Sequence, residues 1–287
     1  MNQIKITCDS TCDLTPALYE EYDIHVIPLS VALGDRLCRD GVEVSADDVF
    51  AFVSESGQLP KTSAVSVGEY EDVFRMYTEQ GYEVIHINLS SSLSVTHQNA
   101  LMAAQEVGGV HVVDSASLSS GSGHLVLLAR ELARQGLSAG QIVDLLNEKK
   151  QLLDVSFVLQ TLEYLHKGGR CSGVAAFGAN VLKLRPEIEV ADGKMQVGKK
   201  YRGDMARSIP AYIRGRLEGR EDVDTSRIFI THSGVPEDIL AQAVALVKEL
   251  HPFDQVLTTR AGCTISTHCG PACLGVLFFR KGYRIAY

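Results

Sequence analysis

Apolar segments that predict strands alternate with segments that predict helices across the first 150 residues, and this alternation constrains the fold more than any other feature. Strand segments lie at Ile4–Cys8, His25–Leu33, Glu83–Leu89 and Val110–Val113, and a segment with the i, i+3, i+4, i+7 spacing of an amphipathic helix begins at Leu125. Strands that are separated by helices pair in parallel through βαβ crossovers. The sequence therefore predicts a mostly parallel sheet with helices on both faces.

Four of the predicted helices begin at a capping sequence. A Thr-Pro pair places a capping hydroxyl before a proline at the first helical position. Three Ser-x-x-(Asp/Glu/Gln) sequences are typical of capping boxes. These starts are Thr15-Pro16, Ser45 with Asp48, Ser66 with Glu69, and Ser138 with Gln141.

Polar clusters follow three of the predicted strands directly. They are Asp9-Ser10-Thr11, Ser90-Ser91-Ser92 and Asp114-Ser115. In open α/β sheets, ligands bind outside the carboxyl ends of the strands. We therefore expect the three clusters to converge on one edge of the sheet.

The second half of the chain predicts more strands and fewer helices. Helices are predicted at Asp204–Leu217 and Glu237–Leu250, and Asp192-Gly193 is typical of a hairpin turn. We place a boundary near residue 153, between an α/β domain over 1–153 and a second α/β domain with a mixed or antiparallel sheet over 154–287. The predicted strands of the second half are Val155–Leu159, Glu187–Val190, Met195–Tyr201, Arg227–His232, Gln255–Thr259 and Val276–Arg280.

Length and composition indicate a globular chain. It has 287 residues, of which 45% are hydrophobic and 22% are charged, close to the average of globular proteins. No apolar run reaches the ~20 residues of a membrane span, and the start lacks the pattern of a secretory signal. We therefore expect a cytoplasmic protein whose seven cysteines are reduced thiols.

The charge is negative overall but uneven along the chain. A formal net charge of −8 argues against nucleic acid as a partner. Between Gln160 and Arg220, however, twelve Lys and Arg residues stand against six Asp and Glu. Two interpretations stay open, namely a surface for an anionic ligand group or acidic partner, and an ordinary solvated charged surface.

Asp9 and Asp13 follow the first strand and raise the alternative of a metal-dependent small-molecule phosphohydrolase. An aspartyl-phosphate enzyme requires a D-x-D-x-T pattern there. In this sequence position 11 is Thr, and the second Asp lies four residues after Asp9. The competing interpretation is that Asp9 and Ser10 cap the helix that begins after Thr15.

Two other polar stretches lack the spacing of known catalytic or metal sites. Residues 119–124 contain no G-x-S-x-G nucleophile elbow, and are better explained as small residues that open a helix. A Cys/His group matches no closed zinc pattern, so buried thiols beside a polar histidine are the simpler interpretation. That group is Cys263, His268, Cys269 and Cys273.

Hydroxyls and glycines, without a nucleophile–base pair, indicate a binding site for a carboxylate or phosphate. The contributing stretches are Lys61-Thr62-Ser63, Ser90-Ser91-Ser92 and His268 before Gly270-Pro271. The basic turn Lys167-Gly168-Gly169-Arg170 adds glycines that let backbone N–H groups converge on an anion. Helix capping by the same hydroxyls is the open alternative.

Taken in order, these motifs resemble the DegV family across nearly the whole chain. The matching stretches are Asp9 to Leu14, Pro60 to Ser63, Ser90 to Thr96, Val113 to Ser115, Leu162, Leu165, Lys167 to Arg170, Leu182 to Pro186, His268 to Pro271 and Gly275.

The resemblance implies two α/β domains with an acyl tunnel between or within them, and no catalytic residue, cofactor or metal. It implies a long-chain fatty acid such as palmitate, stearate or oleate as the ligand. The headgroup would be bound by the family's Thr, Ser and His positions and their neighbours, which here are Thr62, Ser63, Ser91, Ser92, His268 and Gly270.

The resemblance also implies a partner. Some members of this bacterial family present the fatty acid to a separate ATP-dependent fatty acid kinase of the dihydroxyacetone-kinase type, in phospholipid metabolism. Lys167, Arg170 and Arg202 would face that partner or the phosphate. The chain itself has no Walker motif. A lipid carrier for another recipient, with transient contact to a membrane surface, is the alternative.

The sequence departs from the family pattern in two of these motifs. The turn S-S-G-L-S-G-T-Y has Ser92, Val95 and His97 in place of Gly, Gly and Tyr, and the G-P-G step ends in Ala272. Preference for acyl length is therefore not carried over.

Overall fold

The computed structural model describes residues 3–171 and 184–282. Its strands fall into three sheets. In chain order the strands are β1 (Gln3–Asp9), β2 (Ile24–Ile27), β3 (Ser30–Leu33), β4 (Arg36–Arg39), β5 (Lys61–Ser63), β6 (Tyr82–Asn88), β7 (Val110–Asp114), β8 (Leu153–Val158), β9 (Leu184–Ala191), β10 (Lys194–Arg202), β11 (Val223–His232), β12 (Gln255–Arg260) and β13 (Leu274–Arg280).

The helices cover the faces of these sheets. Within the described residues, none of them is long and apolar enough to cross a membrane. They are α1 (Pro16–Glu21), α2 (Ala46–Ser56), α3 (Val67–Thr78), α4 (Thr96–Val107), α5 (Ser119–Arg134), α6 (Ala139–Lys149), α7 (Glu163–Gly168), α8 (Met205–Leu217), α9 (Glu237–Leu250) and α10 (Cys263–Cys269).

The first sheet is parallel, with the order β2-β1-β6-β7. Helices α3 and α4 pack on one face through Tyr70, Phe74 and Ala100. Helices α5 and α6 pack on the other face through Leu125 and Ile142. The predicted parallel sheet, its covered faces and all four predicted helix caps are confirmed.

The second sheet is mixed, with the order β10-β9-β8-β13-β11-β12. Only β11 and β12 pair in parallel among its described strands. The hairpin of β9 and β10 turns at Asp192 and Gly193, which both have positive φ, so the predicted turn is confirmed. The first sheet draws on residues 3–114 and the second on residues 153–280, while the boundary at 153 stays a prediction.

One strand prediction is wrong. The segment His25–Leu33 forms two strands that join different sheets, because the strand is interrupted at Pro28. Proline has no N–H for a continued ladder. The second piece, β3, pairs antiparallel with β4 and β5 in a small three-stranded sheet that the sequence did not predict.

Helix α5 lies between the two large sheets, and small residues make that position possible. It contacts β1 and β6 on one side and β8, β11 and β13 on the other. A Cβ atom at Gly121 would lie 2.9 Å from Val155 Cγ2, and one at Gly123 would lie 2.7 Å from Leu14 Cδ2. The interpretation of residues 119–124 as small residues that open a helix is confirmed.

Two buried carboxylates from the first forty residues hold the amino end of α10. Asp13 Oδ1 accepts a hydrogen bond of 2.8 Å from the Gly262 N–H. Asp40 accepts bonds from the N–H groups of Cys263 and Thr264, at 2.8 and 3.0 Å. Acceptors at a helix amino end satisfy N–H groups that have no partner within the helix. The position of α10 is therefore set by residues more than 200 positions away.

Burial raises the pKa of Asp13 to about 8, although hydrogen bonds from Ser119 and Gly262 oppose the shift. Because an exposed aspartate titrates near ~3.9, the folded protein holds a proton between these pH values that the unfolded chain releases. This group therefore stabilises the fold at low pH, and its contribution is lost as pH rises from about 4 to about 8.

We expect Gly123→Ala to lower the free energy of unfolding by about 1–3 kcal/mol, because the new methyl group overpacks against Leu14 and the Cys12 carbonyl. The matched control is Gly140→Ala in α6, where a Cβ meets nothing within 4 Å. Urea denaturation measures both variants. Equal stability of the two would contradict the proposed tight packing of α5.

We expect Asp13→Asn to remove part of the pH dependence of stability. Asparagine keeps an oxygen that accepts from Gly262, its amide donates to the Ser119 oxygen in place of the bond that Ser119 donates to Asp13, and it does not titrate. Relative to the wild type, the variant should gain stability as pH rises from 5 to 8, by up to about 1.4 kcal/mol per pH unit. Urea melts at several pH values measure this, with Asp35→Asn in the exposed β3–β4 turn as control. If Asp13→Asn kept the pH dependence of stability of the wild type, the raised pKa assigned to Asp13 would be contradicted.

Candidate functional site

A cavity of about 430 Å³ lies between the three-stranded sheet, the loop after β6, α7 and α10. This volume is typical of small-molecule sites. Because Ser91 and Val95 line it and are exposed to solvent, it opens beside the loop between β6 and α4. Its apolar wall is formed by Leu29, Ala64, Leu89, Leu93, Leu118, Leu165, Met195 and Ile265.

Thr62 and His268 meet in this cavity from opposite ends of the chain. Thr62 lies on β5, which pairs with β3, and His268 lies near the end of α10. Thr62 Oγ1 and His268 Nε2 are 3.0 Å apart. The sequence predicted no helix at His268, and the placement of α10 by Asp13 and Asp40 helps to bring the two side chains together.

His268 is neutral at physiological pH. Burial, with a smaller effect of the nearby positive charge of Arg170 in the same direction, lowers its pKa to about 4. Nδ1 is buried and has no hydrogen-bond partner among the residues that the structure describes. Since a buried N–H without a partner costs more than a buried lone pair without one, we assign the proton to Nε2, which then donates to Thr62. The Thr62 hydroxyl is left free to donate to a ligand.

The loop after β6 is held in place by hydrogen bonds to the side chain of Asp9. This carboxylate is fully buried and accepts hydrogen bonds from the Tyr70 hydroxyl at 2.6 Å, the Leu89 N–H at 2.9 Å and the Asn88 amide at 3.2 Å. A carboxylate that is enclosed and bonded in this way cannot reach a substrate. The geometry therefore argues against Asp9 as the nucleophile of a phosphohydrolase.

The expectation that Asp9 and Ser10 cap the helix after Thr15 is wrong. Thr15 itself caps α1 by accepting from the Leu18 N–H. Asp9 makes no capping bond, and the Ser10 hydroxyl donates to Asp40. Asp9 and Asp13 are therefore long-range anchors, one for the loop after β6 and the other for α10.

The same loop is tied to two other elements. The Ser91 hydroxyl donates to Asp114 at 2.5 Å, and the Ser90 hydroxyl donates to the Gly193 carbonyl at 2.9 Å. Burial acts to raise the pKa of Asp114, but the bonds from Ser91 and the Ala116 N–H outweigh it and hold the pKa below its usual range. The predicted convergence of the three polar clusters on one sheet edge is confirmed, since the strands that carry them are neighbours.

Residues Lys167–Arg170 end α7, and the anion-binding role expected of this turn stays a prediction. Gly169 caps α7, and its N–H bonds the carbonyls of Leu165 and His166. Lys167 pairs with Glu163 at 2.7 Å on an exposed surface. Arg170 lines the cavity and donates to the Gly168 carbonyl at 2.6 Å.

The cavity brings together most, but not all, of the candidate site residues. Gly270 lies just outside it, with φ of +72° and its carbonyl bonded by the Ser233 hydroxyl. Lys167 and Arg202 are exposed and do not line it, and the motif residues Leu182 and Lys183 lie outside the described residues. The candidate residues that line the cavity are Thr62, Ser63, Ser91, Ser92, Arg170 and His268.

The cysteine and histidine group near the end of the chain packs into the core. Cys263 donates to the Val44 carbonyl at the amino end of α10. Cys269 and Cys273 are buried in the apolar cluster beside the cavity. Across residues 3–171 and 184–282, no group of three or more His, Cys, Asp or Glu side chains is arranged to hold a metal ion.

Sequence reasoning missed the residues that shape the site without belonging to a motif. Asp40 and the wall residues Leu29 and Ile265 carry no local signal, because their partners lie on elements far away in the sequence. Asp114 did carry a signal, since its position at a strand end placed it in one of the predicted polar clusters, but its bond to Ser91 was not predicted.

Comparisons with known proteins agree with this architecture. The DegV family model, whose description is that of an uncharacterised protein family, matches residues 3–281. A DegV domain-containing protein of Clostridium acetobutylicum is 31% identical over 98% of this chain and 100% of its own. A fatty acid-binding protein of Thermotoga maritima is 30% identical over 95% of this chain and 96% of its own.

Solved structures agree as well. A fatty-acid-binding DegV family protein from Thermus thermophilus superimposes with a TM-score of 0.87 at 32% identity, over 98% of this chain and 100% of that one. A stearic acid-binding protein from Eubacterium ventriosum gives a TM-score of 0.86 at 26% identity, over 97% and 98% of the two chains. With nearly its whole length matched in sequence and in fold, the chain belongs to the DegV family.

Proposed function

We propose that this protein binds a long-chain fatty acid in the cavity, with the carboxylate beside Thr62, Ser91 and His268 and the chain along the apolar wall. The observation that carries the proposal is the cavity's composition, a wall of Leu, Met and Ile side chains with hydroxyls and a neutral imidazole at a few positions. Family relatives that bind fatty acids support the same ligand class.

The acyl chain supplies most of the binding free energy. A 16-carbon acid has about fifteen tail carbons, and burial at ~0.8 kcal/mol per CH₂ offers up to about 12 kcal/mol. Lost rotational and conformational freedom offsets several kcal/mol of this. The tail alone therefore accounts for affinities in the nanomolar to micromolar range.

The headgroup site orients the ligand. Thr62 donates its free hydroxyl proton to the carboxylate, and the Ser91 hydroxyl adds a second bond by turning from Asp114. Ser63 and Ser92 add hydroxyls along the lining. Among the described lining residues, Arg170 has the one formal charge at neutral pH, so it is the natural counterion for the carboxylate.

We further propose that the bound carboxylate is presented to a separate ATP-dependent fatty acid kinase. A carboxylate oxygen attacks the γ-phosphorus of ATP on the partner, ADP leaves, and an acyl phosphate forms. The opening beside Ser91 supports access to the headgroup, and exposed Lys167, Arg170 and Arg202 supply positive charge for the partner or the phosphate. Delivery to another lipid-using recipient is the second candidate.

Mass spectrometry of an organic extract of the purified protein tests the ligand class. We expect a near-stoichiometric long-chain fatty acid. Thr62→Ala and Ser91→Ala should each weaken oleate binding about tenfold, because each removes a bond to a charged group. Displacement of a fluorescent fatty acid measures affinity, with Ser54→Ala on the exposed face of α2 as control. Unchanged affinity in both cavity variants would place the headgroup elsewhere.

Reconstitution with a competent fatty acid kinase, ATP and oleate tests the kinase role. Hydroxylamine trapping measures acyl phosphate as acyl hydroxamate. Arg202→Gln should slow formation severalfold and leave oleate affinity unchanged, because Arg202 is exposed and does not line the cavity. Arg75→Gln on α3 is the matched control. Without any acyl hydroxamate the kinase role is rejected, and a pull-down of partners then tests the carrier role.

A further inference from the structure

The imidazole of His268 lies directly against the backbone of Gly168, the last residue of α7. A Cβ atom at position 168 would be 2.4 Å from His268 Nδ1 and 3.2 Å from Cε1, which is closer than real side chains approach. A second close contact joins the same two helices in the opposite direction. A Cβ at Gly270, just after α10, would be 2.7 Å from the ring of Tyr164 on α7. The two short helices therefore touch through one glycine from each side.

The backbone at position 168 does not itself require glycine. Gly168 has ordinary helical geometry, whereas Gly169 and Gly270 have φ of +69° and +72°. Alanine favours a helix more than glycine does. For Gly168, unlike Gly169 and Gly270, the requirement for glycine is therefore steric, and among the described residues the nearest atoms that impose it all belong to the imidazole of His268.

This contact limits where the imidazole can lie. Gly168 lies against the Nδ1 edge, and Thr62 bonds Nε2 at 3.0 Å on the opposite side of the ring. The Gly168 carbonyl is in turn held by Arg170. The ring is thus fixed between α7 and β5, with Nε2 directed at the Thr62 hydroxyl, which lines the cavity.

We propose that Gly168 is a positioning residue whose missing side chain lets His268 hold the Thr62 hydroxyl in place. Its effect on ligand affinity rests on the proposed function, whereas its effect on the imidazole does not. A methyl group at position 168 would push the ring from Thr62 and leave that hydroxyl without its orienting donor.

A double-mutant cycle tests the proposal by oleate affinity. Gly168→Ala should weaken binding about tenfold in the wild type but cause no further loss in His268→Ala, where the space of the ring is vacant. Gly140→Ala is the control, because it makes the same change in an open part of α6. Additive losses would overturn the proposal, because they would mean that Gly168 acts independently of His268.

Imidazole ¹⁵N NMR of the ligand-free protein gives a readout that a general loss of stability would not move. We expect Gly168→Ala to shift the His268 Nε2 and Nδ1 resonances and Gly140→Ala to leave them unchanged. Unshifted resonances would overturn the proposal even if affinity fell. If the wild type binds no fatty acid, the proposed function fails while this NMR test still decides the positioning role.

Thermal melting distinguishes a clash with His268 from a general destabilisation of the Gly168→Ala variant. In the His268→Ala background, Gly168→Ala should melt at the same temperature or higher, because the clash is gone and the helix gains alanine. A lower melting temperature in that background would also overturn the proposal, since it would show a steric requirement other than the imidazole.

Discussion

The contact on which the site depends most is the capping of α10 by Asp13 and Asp40. These buried carboxylates accept the N–H groups of Gly262, Cys263 and Thr264. Because α10 has only seven residues, its own hydrogen bonds cannot hold it in place. Together with the packing of α10 on α2, α7 and β5, the two acceptors fix its amino end and so help to place His268 beside Thr62.

Burial then determines what the site can do chemically. It keeps His268 uncharged, and it leaves Asp13 protonated through much of the neutral range. A neutral imidazole orients a hydroxyl without adding charge to an apolar cavity, so the positive charge stays on Arg170 at the surface. In the proposed complex, the apolar wall therefore supplies most of the affinity for the fatty acid, and the polar groups orient its carboxylate.

Close approach of backbones recurs where the cavity and core are formed. Gly123 lets α5 pass between the sheets, and Gly168 lets α7 approach α10. At Gly193 a second reason is added, because its positive φ turns the hairpin and a Cβ there would also lie 2.5 Å from Ser90 Oγ. From the sequence, these glycines indicated a hairpin turn, an anion-binding turn and small residues that open a helix, but only the packed neighbours show which of them is sterically required.

Local sequence determined the helix caps at Ser45, Ser66 and Ser138, the parallel first sheet and the convergence of polar residues at its edge. Those features depend on residues a few positions apart, whose spacing is visible along the chain. Only the tertiary structure decided that Asp9 and Asp13 are anchors, that His268 lies on a helix, and that Thr62 is its partner. The physical reason is that a buried carboxylate or imidazole takes its role from groups brought to it by folding, 206 positions away in the case of Thr62 and His268.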